Sequence, residues 1–186
     1  MTAAPETRGP ALVAWARASI AQALGGPHAT PPDAAWGREH RGTFVTLRWR
    51  AGGELQGCIG NLGGDRTIVD DVAANAVAAA TADPRSEPIA LQDLPELAVE
   101  VSILSPLEPI AGLDAIQPGV DGIVLAWRGR RATFLPIMWR TFPDRRRFVA
   151  ELERKGGIPR DADPRELQVW RYGAERFEEA GYEEPA

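Results

Sequence analysis

Residues 43–60 read TFVTLRWRAGGELQGCIG, and the reading of this stretch decides the fold. Residues 43–50 are rich in β-branched, aromatic and apolar side chains, with an apolar centre at Phe44–Leu47, which predicts a strand. Ala51-Gly52-Gly53 is turn chemistry, and residues 54–59 read as the returning strand. Strands joined by so short a turn pair antiparallel.

Working outward, residues 9–24 place Leu12, Ala16, Ile20 and Leu24 at helical spacing, and Gly25, Gly26 and Pro27 stop the helix. Residues 28–39 form a Pro-rich loop, and residues 61–65 a Gly-rich one. Residues 67–83 predict a second helix with a stripe of Ile68, Val72, Ala76 and Ala79, a Thr67–Asp70 start signal and Pro84 as its stop. LAVEVSIL at 97–104 alternates strictly, as a strand does. Residues 122–127 and 131–135 read as a hairpin across Arg128-Gly129-Arg130. Residues 144–155 predict a third helix that buries Phe148 and Leu152 and ends at Gly156. Residues 167–177 read as one final strand. Hairpins mixed with helices, without regular βαβ alternation, predict an α+β fold with a mixed, largely antiparallel sheet flanked by helices.

The 186 residues are 44% hydrophobic, enough for a core, and carry a net charge of −5. That charge argues against nucleic acid and anionic membranes as bulk electrostatic partners. One cysteine excludes an internal disulfide and a multi-thiolate metal site within the chain, and no His/Cys/carboxylate spacing suggests a metal. Residues 1–10 hold no apolar signal core, and no apolar run reaches the ~18 residues of a membrane span. The expectation is a cytoplasmic protein. No cofactor-binding fingerprint is present, so a cofactor is expected to belong to a partner.

Cys58 sits between Gly57 and Gly60. On a regular strand Leu55, Gly57 and Ile59 would face the core, with Gln56 and Cys58 together on the other face. The glycines leave room for a ligand or a neighbouring element, or permit a bulge. Asn61 and the Gly-rich loop then lead into a helix start whose N–H groups suit an anion. The plainer fate of a lone cysteine is packing as a small hydrophobe.

LQGCIG closely resembles the LRGCIG signature of the AMMECR-one domain family, whose prokaryotic members are called AmmeMemoRadiSam system protein A. TFVTL, NAVAAATADPR at 75–85, LAVEVSILSPLEPI at 97–110, GVDGIVL at 119–125, GRRATFLP at 129–136, FPDRRRFVAELERKGGIP and VWRYGAERFEE resemble family blocks in family order. The resemblance implies one domain over residues 8–180, built of two closely packed lobes with the signature near the cleft between them. It also implies a link to Memo-like and radical-SAM proteins, and no settled reaction. Gln56 departs from the signature's Arg. An Arg there would favour a thiolate over the free thiol of pKa ~8.5; Gln brings no charge.

Candidate roles follow. Cys58 is a nucleophile or ligand contact, with Glu100 as an acid or base if the two strands are neighbours. Gln56, Gly57, Gly60, Asn61, Asn75, Ser102 and Thr133 are candidate contacts to an unidentified small ligand. The plainer readings are a solvated sheet face for Glu100 and Ser102, an ordinary strand residue for Thr133, and a helix-to-loop tie for Asn75. His28 and His40 are the only imidazoles, and neither lies in a family block. Asp83 and Arg85 read as a structural turn. The arginines at 128–131 and 140–147 read as a solvated face, without an aromatic ladder for RNA. Two functions compete: an accessory binding component of a system with Memo-like and radical-SAM proteins, and a cysteine-dependent enzyme.

Overall fold

The structure is a computed structural model and describes residues 5–182; part of the polar 1–10 stretch lies outside them. The chain forms two compact units. Residues up to Leu104, joined by those from Glu175 onward, make the first, and Ser105–Ala174 makes the second.

The first unit contains α1 (Pro5–Ala23), β1 (Thr43–Trp49), β2 (Leu55–Gly60), α2 (Ile68–Thr81) and β3 (Leu97–Leu104). β1 lies between β2 and β3 and pairs antiparallel with both. Leu12, Ala16 and Ile20 of α1 and Ile68, Val72, Ala76 and Ala79 of α2 pack on Val45, Leu47, Val99 and Val101. These are the residues the helical and strand periodicities put inward. Trp15 Nε1 donates to the Val69 carbonyl at 2.8 Å and ties the helices together. Thr67 caps α2 by accepting the Asp70 N–H.

The second unit contains β4 (Glu108–Pro109), β5 (Gly122–Trp127), β6 (Arg130–Phe134), α3 (Arg145–Gly156) and β7 (Gln168–Tyr172). Its sheet order is β4-β7-β5-β6, with β5 antiparallel to both neighbours. Phe148 and Leu152 of α3 are fully buried against Ile123, Leu125 and Phe134. The Trp139 ring stacks on Phe148 with centroids 3.8 Å apart. Arg128 and Gly129 both have positive φ, 45° and 81°, which defines a two-residue turn that matches strand twist.

α1 begins at Pro5, ahead of the expected residue 9, and α2 ends at Thr81 rather than 83; four further features differ from the sequence expectation. Strands fall into two four-stranded sheets rather than one. The expected final strand breaks at Gly173 into β7 and β8 (Ala174–Glu178), which join different sheets. The Gly173 carbonyl accepts from the Ser105 N–H and the Gly173 N–H donates to Ser105 Oγ, so these groups are taken up outside both ladders. Gly156 remains helical, and Gly157 at φ 62° makes the left-handed cap. β6 begins at Arg130, inside the stretch expected to be turn. Among the described residues no helix is long and apolar enough to cross a membrane.

Candidate functional site

The β1–β2 ladder is not regular. Thr46 pairs with Cys58 and Leu47 with Gly57, but Arg48 pairs with Leu55, leaving Gln56 as an extra residue. Such a bulge resets alternation. Leu55, expected in the core, is 39% exposed. Gln56, expected beside Cys58, is buried on the side of Trp49. Its Oε1 accepts from Trp49 Nε1 at 2.9 Å and its Nε2 donates to the Glu87 carbonyl at 2.7 Å. Gln56 is thus a strut between β1 and the loop after α2. Gly57 signalled an irregularity, but a glycine does not say which neighbour is the inserted residue.

Cys58 is partly exposed. Thr46 Oγ1 donates to its Sγ at 3.4 Å. Its backbone is held by two residues from beyond the end of α2. The Cys58 N–H donates to Asp83 Oδ2 at 2.8 Å, and Arg85 Nη2 donates to the Cys58 carbonyl at 3.0 Å. Asp83 also accepts from the Arg85 N–H, Nε and Nη2. β2 is an edge strand, so this pair takes the place of a neighbouring strand at Cys58. The Arg85 hydrogen bond holds the Asp83 carboxyl far below the usual carboxylate range, against the opposing effect of burial and with help from the Cys58 N–H. Arg85 is held protonated chiefly by Asp83, with smaller charge and hydrogen-bond contributions from Cys58. A guanidinium therefore stands at the cysteine, supplied from position 85 rather than 56. The structural reading of Asp83 and Arg85 missed their grip on Cys58, because nothing local links residues 25 apart.

Glu100 is not on a strand adjacent to Cys58: β1 lies between, and Cys58, Thr46 and Glu100 form one cross-strand row. Two inter-strand spacings separate Cys58 from Glu100, about 10 Å of backbone. The Glu100 carboxylate pairs with Arg176 at 2.6 Å. A solvated sheet face is also overturned, since Ala98, Ser102 and Leu104 on that face are buried. Ser102 lies in the next row, with Phe44 and Gly60.

Asn61 and Asn75 meet at Asp71. Asp71 Oδ1 accepts from Asn61 Nδ2 at 2.7 Å; Oδ2 accepts from Thr43 Oγ1 at 2.8 Å and Asn75 Nδ2 at 3.2 Å. Asn75 Nδ2 also reaches the Thr43 carbonyl at 3.1 Å. This buried network pins the Gly-rich loop and β1 to α2. Asn75→Ala strands Asp71 and Thr43 groups away from water and is expected to cost about 2 kcal/mol. Urea unfolding measures that loss, and faster exchange of the Asn61 amide would report the freed loop.

The glycines serve packing. A Cβ on Gly57 would lie 2.1 Å from the Ala79 carbonyl oxygen, and one on Gly60 would lie 2.3 Å from Thr43 O. A neighbouring element, not open space, meets both positions. Thr133 belongs to the second unit. Its Oγ1 donates to the Ile123 carbonyl at 2.8 Å and shares a 2.7 Å hydrogen bond with Tyr172, whose phenol burial pushes up to about 12. His40 is exposed, with Nδ1 bonded to the Gly64 carbonyl at 2.8 Å. Among the described residues no group of three or more His, Cys, Asp or Glu is placed to hold a metal.

These features define a mixed α+β protein with two antiparallel sheets, whose signature cysteine is gripped by an Asp–Arg pair. The chain belongs to the AMMECR1 family, whose model matches residues 13–177. A protein of Thermococcus gammatolerans is 38% identical over 166 residues, covering 82% of this chain and 78% of that one. One from Methanothermobacter thermautotrophicus is 35% identical over 153 residues, covering 77% and 78%. The crystal structure of uncharacterized protein PH0010 from Pyrococcus horikoshii superposes with a TM-score of 0.84 at 32% identity, covering 94% of this chain and 92% of that chain.

Proposed function

We propose that this chain is an accessory binding component that presents the surface around Cys58 to a partner rather than catalysing a reaction itself. The observation that carries this reading is the fixed setting of Cys58. Asp83 and Arg85 hold its backbone, Thr46 bonds its sulfur, and the His40 imidazole is bonded at Gly64. A nucleophile needs a base in reach; Glu100, the carboxylate in its row, is two strands away and paired with Arg176. The family resemblance supplies the candidate partners, Memo-like and radical-SAM proteins. The second reading, a cysteine-dependent enzyme acting on a small molecule or protein, draws on the partial exposure of Cys58 and on the Arg85 guanidinium held at its backbone carbonyl.

The test measures binding of purified Memo-like and radical-SAM proteins from the same genome to the wild type, Cys58→Ser and Cys58→Ala. The accessory reading expects binding, unchanged within about twofold by serine. Iodoacetamide alkylation of the native protein is followed in parallel by mass spectrometry. Native alkylation faster at neutral pH than that of the unfolded chain, with no binding to either partner, would overturn the accessory reading in favour of the enzyme.

A further inference from the structure

β6 is the last strand of its sheet, and no further strand pairs with its outer side. The two-residue turn makes Trp127 and Arg130 the first hydrogen-bonded pair of the hairpin. Antiparallel pairs alternate, so Ala126–Arg131 and Val124–Thr133 are non-hydrogen-bonded pairs, and the N–H and C=O groups of Arg131 and Thr133 point away from β5. Lys155 Nζ from α3 covers one of them, the Thr133 carbonyl, at 2.9 Å. The Arg131 N–H, the Arg131 carbonyl and the Thr133 N–H have no hydrogen-bond partner among the described residues.

The edge is also cationic. Arg130 and Arg131 are exposed, and neither meets a carboxylate among the described residues. Arg130 donates to the Gly157 carbonyl and Arg131 lies over the Trp170 ring, 5.7 Å from its centroid. The second unit holds twelve Arg or Lys against nine Asp or Glu, within a chain of net charge −5. Positive charge here is therefore local.

We propose that the free edge of β6 docks an extended acidic segment of another protein, which adds to the sheet as a further strand. Backbone groups two residues apart supply the pairing, and the arginines select the charge of the incoming chain. Charged residues on an edge ordinarily prevent self-pairing. That effect is part of the argument: a second copy would bring Arg130 and Arg131 against themselves, whereas an acidic strand meets its opposite. One tryptophan on the face is not the series of rings that single-stranded nucleic acid needs. The proposal is independent of the reading of Cys58, which lies in the first unit.

The probe is a capped seven-residue peptide alternating glutamate and valine, compared with its lysine–valine counterpart and its fully N-methylated analogue. Amide exchange by NMR is the decisive readout. The glutamate peptide should slow exchange of the Arg131 and Thr133 amides at least tenfold, and the other two should not. Arg131→Glu should weaken glutamate-peptide binding at least tenfold; if that variant misfolds, loss of binding at raised salt measures the same dependence on the wild type. No protection at millimolar peptide overturns the proposal, as does binding that the N-methylated analogue reproduces. Equal protection by oligouridylate would assign the edge to nucleic acid, and concentration-dependent protection without peptide would assign it to a second copy; either result overturns the acidic strand.

Discussion

Gly57→Ala is expected to destabilise the protein by about 3 kcal/mol or more. The added Cβ would lie 2.1 Å from the Ala79 carbonyl oxygen and 3.0 Å from its carbon. Both are backbone atoms in the last turn of α2, whose Ala76, Ala79 and Ala80 are buried. Both sides are held: the end of α2 by the Ile89 N–H bond to the Ala80 carbonyl, and β2 by β1 and by the Asp83–Arg85 grip. The last turn of α2 must move off β2, which opens the packing there. Urea unfolding measures the loss. Gly112→Ala is the control, since nothing lies within 4 Å of its Cβ position, and it should be near neutral. A stable Gly57→Ala protein with impaired partner binding would mean the glycine admits a ligand rather than a helix.

Asp83→Asn should cost about 3 kcal/mol. The carboxylate is almost fully buried, and it carries the Cys58 N–H together with three Arg85 donors. Arg85 is more than half exposed, so solvent screens its charge. The larger part of the loss comes from buried donors left without a full acceptor. The substitution also has a pH signature. Asp83 has a folded pKa below the ordinary ~3.9 of an aspartate. Its contribution is therefore fully present above the unfolded value and is lost as pH falls through the lower folded value. Wild-type stability should decline in acid below about pH 4, and Asp83→Asn should flatten part of that decline. Thermal melts from pH 7 to pH 2 read both curves. An unchanged acid limb in the variant would show that Asp83 is not the ionised anchor of the Cys58 strand. Arg85→Ala separates the roles: it leaves Asp83 able to accept from Cys58 and removes the guanidinium beside the sulfur.

The candidate site was partly legible. Asn75 read equally as a tie from the helix to the Gly-rich loop or as a cleft contact; its own hydrogen bonds reach Thr43 of β1 and Asp71, and it is Asp71 that reaches Asn61 in the loop. Gly57 and Gly60 read as places of close approach, and the approaching elements are α2 and β1. Gln56 and Glu100 were misplaced. One inserted residue turned Gln56 away from Cys58, and strand order put β1 between Glu100 and the cysteine.

What the sequence by itself determined are the elements whose signal repeats within a short window. The stripes of α1, α2 and α3 and the alternation of 97–104 specify which side is apolar, and burial then follows because apolar surface is driven from water. The family followed from blocks spread along the chain. Only the tertiary structure decided the bulge at Gln56, the break at Gly173, the division into two sheets and the union of Cys58 with Asp83 and Arg85. Each depends on which distant backbone groups compete for the same hydrogen bonds. That competition is settled when the strands and helices meet, and no local pattern of residues records its outcome.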